Sequence, residues 1–324
     1  KKFGTKDVLP MWVADMDFEV APCIKEELEK RVDHGIFGYT YHPKSYYKSI
    51  IDWTSKRFNW EIKKQWILYS PGIVPAINYL IQTFCNLGDN VIIQKPVYYP
   101  FGEAIKNNGC HILNNKLVLK DRKYEIDFDD FEKKAKNPKT SMFILCSPHN
   151  PVSRVWTKEE LTKLANICIE NDVLIIADEI HNDLVYSGYK HNILASIDKK
   201  FEKKVITCTA PSKTFNLAGL KSSNIIIPNM SLRNKFKKTL NRHSIGFQNP
   251  LSISAVTAAY ESGEKWLEEL LNYLEENVKY IEKFLDENLK KAKLIKPQAT
   301  YLAWIDFREY EEDGKKLESL FNTK

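Results

Sequence analysis

The sequence lacks the cysteine and histidine patterns of disulfide-stapled or zinc-binding proteins. Its six cysteines are scattered without a C-x-x-C pair, and its seven histidines show no metal-ligand spacing. We therefore expect reduced core cysteines in a cytoplasmic protein that has no metal site. Also lacking are an apolar run of about 18 residues for a membrane span and a secretory signal. We accordingly expect no membrane partner.

An excess of positive charge is present but small. The chain has 48 Lys and Arg against 42 Asp and Glu, which gives a formal net charge of +6 over 324 residues. Lysines and glutamates interleave along predicted helices, as at residues 26–31, which indicates a solvated helix face and no nucleic-acid partner. A mild positive field also suits an anionic cofactor. Internal repeats, low-complexity segments and a helix-turn-helix are absent.

Short apolar runs alternate with amphipathic helical patterns through the middle of the chain. This alternation predicts an α/β fold with a mostly parallel sheet of seven strands. Several runs are apolar throughout, which is typical of strands that helices cover on both faces. The predicted strands lie at residues 66–69, 90–94, 111–114, 141–146, 173–177, 205–208 and 223–227.

The pattern changes after Asn249, where longer helices replace the alternation. Elements predicted beyond this point are a helix from Pro250, a long helix to Leu289, strands at 294–295 and 301–306, and a helix from Lys315. We predict a large cofactor-binding domain at residues 43–249 and a smaller α+β domain at 250–324. Residues 1–42 are expected to join the smaller domain and to reach the dimer contact and active site. Since the chain begins without Met, we expect the natural N-terminus to lie upstream.

Two reactive side chains are predicted at the carboxyl ends of strands, where ligands bind in open α/β sheets. Lys213 follows the strand at 205–208, and a pocket lysine with a lowered pKa can form an imine. Asp178 follows the strand at 173–177, and a buried carboxylate there favours a cationic partner such as a protonated pyridine nitrogen. A surface lysine and a helix N-cap are the plainer alternatives for these two residues.

Three further segments also follow predicted strands. Asn150, between two prolines in a rigid turn, can donate a hydrogen bond to a phenolate oxygen. Gly72 begins a helix whose first N–H groups can cradle a phosphate. Tyr98 can lay its ring on a cofactor face. Each of these residues, taken alone, has an ordinary structural explanation. Together with Lys213 and Asp178, and in this order along the chain, they predict pyridoxal 5'-phosphate (PLP) held by Lys213 as a Schiff base.

The sequence resembles the fold-type I PLP enzymes, the aspartate-aminotransferase-like superfamily. The segments H-N-P at 149–151, D-E-I-H at 178–181 and S-K-T-F-N-L-A-G-L at 212–220 stand in the family's order. Longer stretches, at residues 9–18, 210–220 and 297–306, are similar to the cystathionine β-lyase (C–S lyase) branch. The resemblance covers nearly the whole chain.

The resemblance implies a role for each matching residue. Lys213 matches the Schiff-base lysine, Asp178 the pyridinium partner and Asn150 the donor to O3'. Tyr98 matches the ring that stacks on the cofactor, and Gly72, Ile73 and Val74 match the phosphate loop. The remaining matches to cofactor-binding positions are Ser212, His181 and Lys221. Tyr39 matches a tyrosine that reaches the phosphate in the neighbouring subunit, which implies a homodimer with shared active sites. The substrate pocket is expected to contain Trp12, Ala14, Tyr39 and Tyr98.

Some positions depart from the family's pattern. His181 stands where many aminotransferases have Tyr, and Lys221 stands where they have Arg, so Lys221 lacks the bidentate fork for phosphate. Ala210 replaces a hydroxyl residue and removes a phosphate donor. The family's substrate-carboxylate arginine has no counterpart here, because Arg308 is not at its position. Either that arginine lies beyond Lys324, which we expect, or the recognition of the substrate carboxylate has been lost.

The resemblance implies α,β-elimination from cystathionine or a cysteine S-conjugate. Lys213 would remove the Cα proton, Asp178 would keep the ring nitrogen protonated, and a thiolate would leave, giving pyruvate and ammonia. A class I/II aminotransferase with the same residues is the runner-up, because catalytic residues alone do not separate the two. A non-catalytic PLP-binding regulator is a third possibility, against which the intact set of Lys213, Asp178 and Asn150 argues.

Overall fold

The computed structural model describes residue 11 and residues 13–322, which form an α/β fold. In this part of the chain the strands are β1 (Ile67–Ser70), β2 (Asn90–Ile93), β3 (His111–Asn114), β4 (Val118–Lys120), β5 (Lys123–Glu125), β6 (Thr140–Cys146), β7 (Leu174–Asp178), β8 (Val205–Thr209), β9 (Ser223–Ile226), β10 (Lys293–Leu294) and β11 (Ile305–Asp306). Seven of them form one sheet in the order β1-β9-β8-β7-β6-β2-β3. Only β9 runs antiparallel to its neighbours in this sheet, so the predicted mostly parallel seven-stranded sheet is confirmed.

Helices connect and cover these strands. They are α1 (Pro22–His34), α2 (Lys44–Phe58), α3 (Ile73–Phe84), α4 (Pro100–Asn107), α5 (Phe128–Ala135), α6 (Lys158–Glu170), α7 (Leu194–Ile197), α8 (Pro211–Thr214), α9 (Met230–Arg242), α10 (Pro250–Ser262), α11 (Glu264–Asn288) and α12 (Gly314–Asn322). Helix α6 starts at a capping box in which Thr157 and Glu160 satisfy each other's backbone N–H groups. No helix within residues 13–322 has both the length and the apolar character to cross a membrane.

The central strands are apolar on both faces because helices cover both sides of the sheet. Phe143 and Leu145 belong to one buried cluster, which includes side chains of α2, α6 and α10. Met142 and Ile144, which alternate with them along β6, belong to the other cluster with side chains of α3, α4 and α9. Because side chains alternate across a strand, such double coverage requires a nearly continuous apolar run.

The predicted strand at 301–306 is wrong in most of its length. Only Ile305 and Asp306 pair, with β10, in a two-stranded sheet separate from the large one. Thr300 has a positive φ of 66°, and its N–H donates to the carbonyl of Leu184 at 2.6 Å. These long-range contacts keep the segment out of an extended ladder. The β4–β5 hairpin, which is half exposed, was not predicted.

The N-terminal segment is attached to the loop that follows Lys213. The side-chain amide of Asn216 donates to the carbonyls of Met16 and Phe18 at 2.8 and 3.0 Å. Helix α1 then packs against α10. The N-terminal and C-terminal parts therefore contact each other, as a shared smaller domain would require, while the predicted division at residues 42 and 249 stays a prediction.

Gly263, between α10 and α11, provides a test of this packing. An added Cβ would lie 2.5 Å from the carbonyl oxygen of Ala259 and 2.5 Å from a ring carbon of Phe215. Because a backbone oxygen cannot give way, we expect Gly263→Ala to destabilise the protein by about 1–3 kcal/mol, as overpacking does. The measurement is the midpoint of thermal unfolding.

Gly246→Ala is the matched control, since no atom of the described residues lies within 4 Å of a Cβ added there. Equal midpoints for the two variants would contradict the tight contact between Gly263 and Phe215.

Candidate active site

A cavity of about 340 Å³ lies at the carboxyl ends of β6 and β7 and beside the turn after β8. Its volume is within the range of small-molecule sites. Eight residues predicted for the site line this cavity: Ala14, Ile73, Val74, Tyr98, Asn150, Asp178, His181 and Lys213. Among the described residues, four more line the cavity and were not predicted: Val13, Tyr99, Cys146 and Ile180. Three of these four directly adjoin a predicted residue, which is a signal that sequence reasoning could have used.

Asp178 ends the central strand and is 4 % exposed. Its neighbours in register are Cys146 on β6 and Cys208 on β8, so no cation flanks it within the sheet. Burial raises the pKa of Asp178 to about 7, although a hydrogen bond from the N–H of Ile180 to Oδ1 at 3.2 Å and the charge of Lys213 oppose this. A carboxylate in such a place is stabilised by a cationic group entering the cavity.

Lys213 lies on the single turn α8, directly after β8. Its Nζ donates a hydrogen bond to the carbonyl oxygen of Ala14 at 2.6 Å, and the hydroxyl of Tyr301 donates to the same oxygen at 2.8 Å. Burial lowers the pKa of Lys213, while Asp15 and Asp178 raise it. The lowered pKa increases the fraction of neutral amine, which is the form that attacks a carbonyl carbon. Tyr301 was not predicted as part of this arrangement.

The start of helix α3 forms part of the cavity wall. Ile73 and Val74 are its first residues and line the cavity. Gly72 precedes them with a φ of 125°, a conformation that side-chain-bearing residues rarely adopt. The first N–H groups of a helix have no intrahelical acceptor, so this end of α3 can bind an anion such as a phosphate group.

Asn150 and Tyr98 are fixed by contacts between two proline-containing turns. The N–H of Tyr98 donates to the carbonyl of Asn150 at 3.0 Å, and the buried His149 bonds to the carbonyl of Pro96 through Nε2 at 2.8 Å. The peptide bonds before Pro96, Pro148 and Pro151 are cis. These contacts hold Asn150 and Tyr98 beside each other, and both residues line the cavity.

His181 lines the same cavity and is almost fully buried. Burial, with a smaller contribution from the charge of Lys213, lowers its pKa to about 3. The ring is therefore neutral near neutral pH. Its Nδ1 is buried without a hydrogen-bond partner among the described residues.

Several predicted residues lie elsewhere. Gly72, Ser212 and Lys221 do not line the cavity, although Gly72 and Ser212 adjoin residues that do. Lys221 is exposed. Tyr39 is 96 % exposed in a separate surface groove, where its ring lies 5.6 Å from that of Phe247. Its predicted role in a neighbouring subunit stays a prediction, and Trp12 lies outside the described residues.

These residues fit the predicted cofactor. PLP presents an aldehyde for an amine, a ring nitrogen for a carboxylate, a flat ring for an aromatic side chain and a phosphate for a helix start. Lys213, Asp178, Tyr98 and the start of α3 supply those four partners around one cavity. Within residues 13–322 no group of three or more His, Cys, Asp and Glu side chains is arranged to hold a metal ion.

Comparisons with known proteins agree with this arrangement. The family model described as aminotransferase class I and II matches residues 6–322. Cystathionine beta-lyase PatB of Bacillus subtilis (strain 168) is 46 % identical over 316 residues, which cover 98 % of this chain and 82 % of that protein.

Two solved structures are also similar. Cystalysin from Treponema denticola, which contains a pyridoxal 5'-phosphate cofactor, superposes with a TM-score of 0.94 at 40 % identity, over 97 % of this chain and 80 % of that one. The PLP-bound C-S lyase from Staphylococcus hominis gives a TM-score of 0.90 at 40 % identity, over 95 % and 78 %.

The raised pKa of Asp178 predicts a pH-dependent stability in the cofactor-free protein. The pKa is about 7 in the folded chain and about 4 in the unfolded chain, so between these values the folded state binds the extra proton. The free energy of unfolding therefore falls as pH rises through this window, by about 1.4 kcal/mol per unit at most. Asp178→Asn removes this loss, so the variant should unfold at a higher temperature than wild type at about pH 8 and at a similar temperature at about pH 4.

Asp286→Asn, at an exposed position on α11, removes a carboxylate without this burial and serves as the control. A stability gain of Asp178→Asn that is equal at both pH values, or absent at both, would contradict the role of desolvation.

Proposed function

We propose that this chain, which belongs to the family of class I and II aminotransferases, is a PLP-dependent β-lyase that cleaves carbon–sulfur bonds. Its substrates are small amino acids, with cystathionine or a cysteine S-conjugate as the specific class. The observation that carries the choice of reaction is the similarity to cystathionine beta-lyase PatB over nearly the whole chain. The cavity that joins Lys213, Asp178 and Asn150 supplies the chemistry.

The chain's residues would bind and orient the cofactor. Bound PLP supplies an electron sink for negative charge that develops at the substrate's α-carbon. The start of α3 would bind its phosphate, and Tyr98 would cover one face of its ring. Asp178 would keep a proton on the ring nitrogen, because a carboxylate buried this deeply gains most from an adjacent cation.

Lys213 would move the proton at the substrate's α-carbon. Its lowered pKa leaves more of the side chain as the neutral amine, which can accept that proton. The electron pair released at Cα forms a double bond to Cβ, and the thiolate leaves Cβ with the electrons of the C–S bond. Addition of water to the remaining three-carbon fragment then yields pyruvate and ammonia, with the thiol as the third product.

An aminotransferase is the second candidate, because the family model that matches this chain describes such enzymes. The same lysine would then return the proton to the cofactor, and a 2-oxo acid would be needed to complete the cycle. Release of pyruvate in the absence of any 2-oxo acid separates the two reactions.

We also propose a cytoplasmic homodimer. Large apolar side chains are exposed together near the groove that contains Tyr39, among them Phe37, Tyr41 and Phe247. Such a contiguous patch marks an interaction surface, and a second copy of the chain would cover it. Covering it would also bring Tyr39 toward the neighbouring site. The six free cysteines suit a reducing compartment.

The reaction has a direct test. Purified protein with added PLP should show the visible absorbance band of a lysine-bound cofactor and should release pyruvate from L-cystathionine without a 2-oxo acid. Lys213→Ala should lose both the band and the pyruvate, since it removes the only amine lining the cavity among the described residues. Lys237→Ala, on the exposed face of α9, should retain both. A band that bleaches on adding substrate without pyruvate would overturn the lyase in favour of the aminotransferase.

Shared active sites can be tested by mixing subunits. If Tyr39 acts in the neighbouring site, co-expressed Lys213→Ala and Tyr39→Phe chains form hybrids with one intact site each. Random pairing should then restore about one quarter of the wild-type activity, whichever reaction is measured. Hybrids of Lys213→Ala with Asp178→Asn contain no intact site and should stay inactive, which makes them the control. No recovery in the first mixture, together with low activity of Tyr39→Phe alone, would contradict the shared site.

A further inference from the structure

A buried carboxylate that does not line the cavity is bonded to the turn that carries Lys213. Asp183 is 2 % exposed and follows the D-E-I-H segment in the loop after β7. Its Oδ2 accepts a hydrogen bond from the hydroxyl of Thr214 at 2.9 Å, and Thr214 is the residue next to Lys213. We infer that Asp183, acting through Thr214, is a positioning residue that sets the direction of the Lys213 side chain. The inference rests on the proposed function only in taking Lys213 as the cofactor lysine.

Asp183 is itself held by the helix on its other side. Its Oδ1 accepts from Nε of Arg57 at 2.8 Å and from the indole N–H of Trp53 at 3.1 Å, both on α2. A buried carboxylate with three donors and an ion pair is costly to displace. Thr214 is therefore bonded to a fixed acceptor, and its own side chain is fully buried.

The loop that carries Asp183 begins directly after Asp178, which ends β7 five positions earlier. This loop is anchored in turn, because the fully buried Glu179 bonds to His191 at 2.8 Å and to the N–H of Leu194 at 3.0 Å. The same short segment thus places the carboxylate that would face the cofactor's ring nitrogen and the carboxylate that fixes the turn of Lys213. It sets the spacing between the two groups on which the proposed chemistry depends.

The turn α8 cannot by itself fix the direction of the Lys213 side chain. Helix α8 has four residues, so it has almost no intrahelical ladder. Its second anchor is Phe215, whose ring packs 5.7 Å from Trp53 and 6.1 Å from Trp266. This aromatic anchor keeps the segment folded when the Thr214 hydrogen bond is removed. Loss of the bond should therefore change the orientation of Lys213 more than it changes stability.

The test compares three substitutions in the PLP-loaded protein. Thr214→Val keeps the shape of the side chain and removes the hydroxyl, whereas Thr214→Ser keeps a hydroxyl. Thr239→Val is the control. Thr239, on α9, is also buried, but its hydroxyl accepts a hydrogen bond from Thr83 on α3 and has no bond to the turn of Lys213. The measurements are the visible circular dichroism of the bound cofactor, kcat and KM for L-cystathionine, and the thermal midpoint.

We expect Thr214→Val to weaken the visible circular dichroism per bound cofactor, since that signal depends on a fixed orientation. Its kcat should fall about tenfold or more, with KM changed less than about twofold, as for a misplaced catalytic group. Thr214→Ser should recover both values. Thr239→Val should lower the thermal midpoint alone. If Thr214→Val is insoluble, Thr214→Ala is judged by the same measurements.

A Thr214→Val protein with wild-type circular dichroism and kcat would overturn the inference, even if its thermal midpoint were lower. So would equal losses in Thr214→Ser and Thr214→Val. If the wild-type protein binds PLP at Lys213 but releases no pyruvate, the lyase proposal fails, and the circular dichroism comparison still decides the positioning role.

Discussion

The parallel alignment of β6, β7 and β8 is the constraint on which the site depends. Parallel strands end at the same edge of the sheet, so residues distant in sequence become neighbours there. Asp178 on β7 lies between Cys146 and Cys208 in register, and the turn with Lys213 follows β8. Helix α3 follows the edge strand β1, and its first residues line the same cavity. Because the strands end at the same edge of the sheet, an amine, a carboxylate and an anion-binding helix start lie around one cavity.

Burial acts on the two charged groups in opposite directions. It raises the pKa of Asp178 and lowers the pKa of Lys213, so both side chains move toward their neutral forms when the cavity holds no cofactor. The carbonyl of Ala14 gives Lys213 an acceptor in that state. Because Asn216 binds the N-terminal segment beside Ala14, the residues after Lys213 also determine where this acceptor lies.

Much of the fold and the centre of the site could be predicted from the sequence. The central strands were recognisable because both of their faces are apolar. Lys213, Asp178 and Asn150 were recognisable because each follows such a predicted strand. Contacts between remote positions gave no local signal: Tyr301 reaches Ala14 from 287 residues away, and Arg57 reaches Asp183 from 126. The prediction of a strand at 301–306 was wrong for the same reason, because the N–H of Thr300 donates to the carbonyl of the remote Leu184.

The buried carboxylate of Asp178 has a consequence for the lifetime of the protein in a cell. A ligand that binds only the folded state stabilises it according to its concentration. The empty chain bears the cost of desolvating Asp178, and a cationic ring nitrogen beside the carboxylate removes much of that cost. Proteases act on unfolded chains, so subunits made when cofactor is scarce should be degraded faster than loaded ones. The abundance of the protein would then follow the cofactor supply without a dedicated regulator.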